Sequence, residues 1–104
     1  MFTITYQNVL KRDKNCCDFT QWIQTYWPVQ KKWGALSVVW WNEERDERRL
    51  VFCRYTVQSI DCWNRLAIEA ASSDLTRALN NVVDLRQTCV KITNMDMMKA
   101  TSPG

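Results

Sequence analysis

Six aromatic or polar residues have the side-chain chemistry to hold a small molecule, although they form no complete catalytic motif. They lie on predicted strands and on one predicted helix: Tyr6, Asn8, Trp40, Arg54, Tyr55 and Trp63. Tyrosine, asparagine and arginine side chains donate hydrogen bonds to ligand oxygens, and such donors can stabilise a developing oxyanion. Tryptophan rings supply large apolar contact surfaces. The sequence therefore predicts ligand contacts at these residues and leaves the catalytic residues unknown.

Each candidate also has a purely structural interpretation. A buried Arg54 would need a carboxylate or an anionic ligand, whereas an Arg54 near a strand end can reach solvent or pair across a dimer. Trp63 lies on an apolar helical stripe, and Tyr6 and Tyr55 lie on strands, where aromatic side chains commonly pack in the core. Asn8 can hold a substrate oxygen or simply end its strand. Residue type and spacing leave both interpretations open.

Several classes of protein are disfavoured by the composition. The chain has no histidine, which removes the usual general base near neutral pH, the commonest metal ligand and the proximal ligand of many haem sites. Its five cysteines are odd in number and show no CxxC spacing, which argues against a disulfide framework and a zinc site. We therefore expect reduced thiols, a cytoplasmic location, and neither a metal nor a cofactor.

Charge and hydropathy disfavour two kinds of partner. The formal net charge is +3, and basic and acidic residues are interleaved along nearly the whole chain. This arrangement lacks the basic stripe that is typical of nucleic-acid-binding surfaces. No apolar run reaches the ~18 residues of a membrane span, and the N-terminus has no basic segment followed by an apolar one. We expect binding to neither nucleic acid nor a membrane.

The candidates are positioned first by an N-terminal strand and a long aromatic helix. Residues 2–9 alternate between apolar and polar, which predicts a strand. A helix is then indicated by residues that recur at spacings of three and four: Phe19, Trp22, Ile23, Tyr26, Val29 and Trp33. Asp13 or Asn15 can cap its start, and Gly34 lies where a left-handed helix stop is expected. Pro28 should either kink this helix or open a second short one.

Two further runs, within residues 35–57, predict a hairpin that is apolar on both faces. The first run places Leu36, Val38 and Trp40 opposite Ala35, Val39 and Trp41, and the second places Leu50 and Phe52 opposite Val51, Cys53, Tyr55 and Val57. Residues 42–49, which are charged except for Asn42, form the predicted solvated connection. A sheet with apolar residues on both faces must be covered on both sides. Helices can cover one side, and we expect a second copy of the chain to cover the other.

The remaining elements complete an α+β plan. Ser59 precedes one helical stripe, formed by Ile60, Trp63, Ala67 and Ala70, and Ser72 or Ser73 can cap a further helix from Asp74. Residues 88–93 predict the last strand. The order is typical of a ferredoxin-like split βαβ fold, a four-stranded antiparallel sheet with helices on one face. We expect a single domain over residues 1–94, followed by a C-terminal tail over residues 95–104.

This pattern resembles the dimeric α+β barrel superfamily, in particular its antibiotic biosynthesis monooxygenase-like branch. The likeness rests on the opening strand, the aromatic first helix ending near Trp33-Gly34, the hairpin, and the segment 50–63 that runs from the third strand into a capped helix. The resemblance implies a homodimer with a pocket between sheet and helices in each subunit. Haem-degrading members use an asparagine, a tryptophan and a histidine. Asn8 and Trp63 match the first two, but the chain has no histidine.

Three functions are compatible with these observations. The first is a homodimer that binds an apolar or aromatic small molecule in its pocket, including the case of a cofactor-independent monooxygenase-like enzyme in which Arg54, Asn8 or a tyrosine stabilises an oxyanion. The second is a carrier or sensor that binds such a molecule without turnover. The third is a structural or partner-binding dimer, whose cavity should be filled by Trp40 or Trp41, Phe52 and their neighbours. We expect the small-molecule pocket.

Overall fold

The computed structural model describes residues 1–69 and 73–95 of the chain. Within them, the four strands and three α-helices follow the predicted order, with one added 3-10 turn: β1 (Phe2–Val9), α1 (Cys16–Lys32), β2 (Ala35–Arg45), β3 (Arg48–Val57), α2 (Ile60–Glu69), α3 (Asp74–Val82), a 3-10 turn (Leu85–Gln87) and β4 (Cys89–Asn94). The strands form one antiparallel sheet in the order β2-β3-β1-β4. The predicted split βαβ plan is therefore confirmed.

The helices cover one face of this sheet. Buried residues of the three helices form a single cluster with one face of β1 and β3, comprising Phe19, Trp22, Ile23, Trp63, Leu75 and Val82 from the helices and Ile4, Val51, Cys53, Tyr55 and Val57 from the strands. The opposite face, here called the open face, carries a separate cluster of Val9, Leu50 and Phe52 with Trp41 packed against it. The predicted division of β3 between its two faces is thus confirmed.

Helix α1 follows the sequence signals at both ends. The Asn15 side chain accepts a hydrogen bond from the backbone N–H of Asp18, and the Asp18 carboxylate accepts one from Asn15 in return, so Asn15 rather than Asp13 is the cap. Gly34 has a φ of +101° directly after the helix, a conformation that glycine adopts without a steric penalty. Pro28 lies inside the helix, which continues to Lys32, so no second helix opens there.

The hairpin differs from the prediction in two respects. Strand β2 extends to Arg45 and strand β3 begins at Arg48, so most of the expected connection is strand. Only Asp46 and Glu47 form the turn. Both turn residues have positive φ, 50° and 64°, as tight hairpin turns require. The pairing also shifts register between Ala35 and Ser37. Ala35 is consequently buried in the helix-facing core, and its predicted place beside Val39 and Trp41 is wrong.

The open face is less apolar than the alternation of β2 and β3 suggested. Trp41 and Phe52 stack with their ring centroids 5.3 Å apart. The guanidinium groups of Arg45 and Arg54 lie over these rings, 5.5 Å from the centroid of Phe52 and 5.2 Å from that of Trp41. Val39 remains 53% exposed. The apolar part of the open face is therefore concentrated on β2 and β3 and is partly covered by arginine side chains.

The C-terminal half contains small deviations from the expected boundaries. Ser59 caps α2, because its hydroxyl accepts a hydrogen bond from the Cys62 N–H at 3.1 Å. Ser73 occupies the N-cap position of α3, although its side chain makes no capping hydrogen bond. Strand β4 begins one residue later than predicted, and the 3-10 turn before it was not predicted. Ala70, Ser72 and the predicted tail beyond Met95 lie outside the described residues.

Candidate ligand-binding cavity

A cavity of about 200 Å³ lies between the helix-facing side of the sheet and the three helices. Its walls are mostly aromatic and aliphatic: Tyr6, Asn8, Phe19, Trp22, Gln30, Trp33, Cys53, Tyr55, Trp63, Ala67, Leu75, Thr76, Leu79, Leu85 and Thr88. None of these lining residues carries a formal charge at neutral pH. An apolar enclosure with a few polar groups is the usual composition of a small-molecule site.

Trp63 and two tyrosines form the aromatic wall nearest to the sheet. Trp63 projects from α2 and is 2% exposed, and its indole N–H donates a hydrogen bond to Tyr6 Oη at 2.9 Å. Its ring lies 4.8 Å from that of Tyr55 and 5.4 Å from that of Trp33, measured between centroids. Tyr6 meets Tyr55 nearly edge-on at 6.0 Å. These contacts tie α2 to β1 and β3 and hold the Tyr6 hydroxyl in a defined place.

Asn8 is held at the sheet end of the cavity. It lies on β1 and is 2% exposed, and its Oδ1 accepts a hydrogen bond from Thr88 Oγ1 at 3.0 Å. Its Nδ2 donates to the Val51 carbonyl at 3.4 Å, which is a long contact. A buried amide needs such partners because burial without hydrogen bonds is costly. Asn8 on β1 is therefore hydrogen-bonded both to β3 and to Thr88, the residue before β4, and it also lines the cavity.

Tyr55 and Gln30 form a second buried polar pair. The Tyr55 hydroxyl donates to Gln30 Oε1 at 2.9 Å, joining β3 to the last turns of α1. Gln30 is 2% exposed, an unusual environment for glutamine, and it follows Tyr26 by four residues on the apolar stripe of α1. This placement on the stripe was the signal from which the burial of Gln30 could have been inferred.

The titratable groups in the cavity wall are held in their neutral forms. Burial raises the pKa of the Cys53 thiol to about 12. Burial also raises the pKa of Tyr6, an effect opposed by the hydrogen bond from Trp63, and it raises the pKa of Tyr55 well above its ordinary value. A site that disfavours its own anions in this way also disfavours an anionic ligand.

We expect these buried acids to make the protein less stable at alkaline pH. Cys53 is neutral in the folded state but ionises near pH 9 once unfolded, so its contribution is fully present below about pH 9 and is lost as the pH rises to about 12. Urea unfolding across this range, in a thiol reductant, should show a steady fall in the free energy of unfolding. Cys53→Ala should reduce the slope, whereas Cys17→Ala, at an exposed position, should leave it unchanged.

The cavity brings together four of the six candidate residues. Tyr6, Asn8, Tyr55 and Trp63 all line it. Trp40 faces the helices, where its indole N–H donates to Thr20 Oγ1 at 2.9 Å on α1. It does not line the cavity, so the expected ligand contact of Trp40 there is not made.

Arg54 does not reach the cavity either, which corrects the expectation that it would contact a ligand there. It lies on the open face, where its Nε donates to Thr5 Oγ1 at 3.1 Å and its guanidinium covers the ring of Trp41. The odd-numbered residues of β1 and the even-numbered residues of β3 point to this face. Because successive side chains of a strand point to opposite faces, Arg54 is directed away from the helices.

Neither a metal site nor a membrane span is formed by the residues that the structure describes. No group of three or more cysteine, aspartate or glutamate side chains in 1–69 and 73–95 is placed to hold a metal ion. No helix within these ranges is both long and apolar enough to cross a membrane.

Comparison with known proteins places the fold among solved structures. No family model and no curated protein matches the chain. SnoaB, a cofactor-independent oxygenase from Streptomyces nogalater, superposes with a TM-score of 0.63 at 11% identity, over 89% of either chain. An antibiotic biosynthesis monooxygenase gives 0.59 at 14% identity, over 90% of this chain and 97% of the other. The hydroxynitrile lyase from Passiflora edulis gives 0.64 at 11%, over 88% and 90%.

These likenesses define the class of fold. The chain has a ferredoxin-like α+β fold that it shares with these structures, so the resemblance found in the sequence is confirmed at the level of the fold. The proteins that share it include an oxygenase and a lyase, so the fold does not specify a reaction.

Proposed function

We propose that this protein binds an apolar or aromatic small molecule in the cavity between sheet and helices. The observation that carries the proposal is the cavity itself, a partly open space with largely aromatic walls into which Tyr6 and Asn8 bring polar groups. A filled structural core would contain no such space. Trp40, Trp41 and Phe52, the residues expected to fill it in a structural dimer, all lie outside its lining.

Native mass spectrometry of the purified protein, together with tryptophan fluorescence during titration with single-ring aromatic ligands, tests this proposal. Trp22, Trp33 and Trp63 line the cavity, so a bound aromatic ring should change the emission saturably. A matched pair of variants locates the signal. Trp63→Phe should reduce the change, whereas Trp40→Phe, outside the cavity, should preserve it. Absence of saturable binding across a broad panel of such ligands would contradict the proposal.

We further propose that the protein acts as a homodimer through the open face. Val39 is exposed there and the half-buried Trp41 covers the ring of Phe52, and a two-fold axis would bury the same patch of both copies at once. The two faces of the sheet then have different roles. One covers the ligand cavity, and the other holds the partner.

Val39→Glu should separate the proposed dimer. Val39 is 53% exposed and lies opposite Arg54 in the neighbouring strand, so a carboxylate is tolerated in a single chain but is buried in the proposed interface. We expect the dimer dissociation constant to rise at least about tenfold, measured by light scattering over a dilution series. Ile68→Glu, at a 75% exposed position of α2, is the matched control and should leave the mass unchanged. A monomeric unsubstituted protein would overturn the dimer.

An oxygenase reaction is the second candidate function. The observation that favours it is the presence of two neutral hydrogen-bond donors, the Tyr6 hydroxyl and the Asn8 amide, in one apolar cavity. An electron-rich phenol would bind there in its neutral form, and these donors can stabilise the negative charge that develops on its oxygen during the reaction. The substrate would supply the electrons and molecular oxygen would be the co-substrate. Oxygen uptake with an electron-rich phenol, compared with the Tyr6→Phe variant, tests this function. Binding without oxygen uptake would leave a carrier or sensor.

A further inference from the structure

The Tyr6 hydroxyl has a donor proton for which residues 1–69 and 73–95 supply no acceptor. Its oxygen accepts from Trp63 Nε1, and this is its sole hydrogen-bond partner among residues 1–69 and 73–95. Indole N–H is only a donor, so it cannot receive the Tyr6 proton. Tyr6 is half-buried and lines the cavity. The proton is therefore available to a molecule inside the cavity.

The size of the cavity restricts that molecule. A dry apolar cavity of roughly 150 Å³ accommodates benzene, and pockets for drug-sized ligands occupy roughly 300–1,000 Å³. The cavity here, at about 200 Å³, falls between these values. One aromatic ring with a short substituent fits this space, whereas three fused rings exceed it.

The charge of the cavity restricts the ligand as well. Within the described part of the chain, no lysine, arginine, aspartate or glutamate lines the cavity. An ionised ligand would lose its hydration shell without gaining an opposite charge, which is unfavourable in an apolar enclosure. Neutral ligands avoid this cost.

We propose that the cavity selects neutral, single-ring aromatic molecules that carry a hydrogen-bond acceptor such as a carbonyl oxygen, and that Tyr6 recognises this acceptor by donating its hydroxyl proton. This inference rests on the proposed ligand-binding function and narrows it to one ligand class. Trp63 acts as a positioning residue, since its N–H occupies the Tyr6 oxygen and directs the remaining proton into the cavity.

Calorimetric titration with four small aromatic molecules tests this proposal. Acetophenone and α-methylstyrene have nearly the same shape, but only the first has a carbonyl acceptor. Benzoate tests the effect of charge, and 9-fluorenone tests the effect of size. Tyr6→Phe should weaken acetophenone binding roughly tenfold and change α-methylstyrene binding by less than about twofold, since a lost hydrogen bond affects only the acceptor. Tyr26→Phe is the control, because its hydroxyl contacts the Asp74 carbonyl outside the cavity.

In Tyr6→Phe the Trp63 N–H loses its acceptor, and the resulting destabilisation of the protein can itself weaken binding. A second comparison separates this effect from the loss of the Tyr6 hydroxyl. Trp63→Phe alone and the double variant Tyr6→Phe, Trp63→Phe differ only in the Tyr6 hydroxyl. A loss for acetophenone should again appear between them, but a smaller one, because the Trp63 N–H no longer directs the Tyr6 proton into the cavity; an equal loss would overturn the positioning role of Trp63. An unchanged affinity for acetophenone in both comparisons would overturn the role of Tyr6. Benzoate or 9-fluorenone binding as tightly as acetophenone would overturn the ligand class. Failure of every probe, α-methylstyrene included, would instead overturn the proposed ligand-binding function itself.

Discussion

Replacement of Trp63 by alanine is expected to lower the free energy of unfolding by about 3–5 kcal/mol, the range typical of large aromatic side chains removed from a core. Trp63 is 2% exposed and contacts the rings of Trp33 and Tyr55. Its loss leaves a void where α2 meets the sheet and removes the hydrogen bond to Tyr6. Urea unfolding followed by circular dichroism measures the change, with the linear slope checked for constancy.

Trp40→Ala provides the comparison for this result. Trp40 also donates an indole hydrogen bond, to Thr20, but it is only half-buried and lies away from the cavity. Its removal should cost less than half as much as that of Trp63, because less surface returns to water and a smaller void remains. Equal losses for the two variants would show that α2 is not held to the sheet by the Trp63 contacts.

The strands and their faces could be predicted from the sequence because their signal is local. In β1, Phe2, Ile4 and Tyr6 recur at every second position, as do Val51, Cys53, Tyr55 and Val57 in β3, and the structure places Ile4 and Tyr55 on the helix-facing side as this period requires. The bulge near Ala35 could not be found in the same way. One extra residue in β2 interrupts the period, and nothing in the local sequence marks which residue is unpaired.

The site was predicted less completely than the fold because it depends on distances between elements. Tyr6 and Trp63 are 57 positions apart in the chain, and only the packing of α2 on β1 brings the indole N–H to the phenol oxygen. Arg54 shows the opposite case. Its residue type suggested a ligand contact, but the pleat of β3 sends it to the open face, beside Thr5 and Trp41. Residue chemistry selected plausible candidates, and the helix packing determined which of them meet.

Filling the cavity should abolish ligand binding while the fold is retained. Ala67 lies on α2 and lines the cavity, so Ala67→Phe introduces a ring into a space of about 200 Å³. Since a cavity of roughly 150 Å³ already accommodates one benzene molecule, the new ring leaves no room for a second. We expect affinity for single-ring aromatic ligands to fall about a hundredfold or more, which corresponds to about 2.7 kcal/mol of binding free energy. Calorimetric titration measures this loss.

Ala67→Phe should lower the affinity for ligand without lowering the stability of the protein, and this combination distinguishes an empty cavity from a filled core. A ring that enters empty space gains apolar contacts, whereas a ring forced into a filled core costs typically 1–3 kcal/mol through displaced side chains. Ala67→Phe should therefore keep its unfolding free energy within about 1 kcal/mol of the unsubstituted protein. Ile68→Phe, at the exposed neighbouring position, should change neither quantity. Strong destabilisation by Ala67→Phe would mean that the space is already filled in solution, and retained affinity would place the ligand elsewhere.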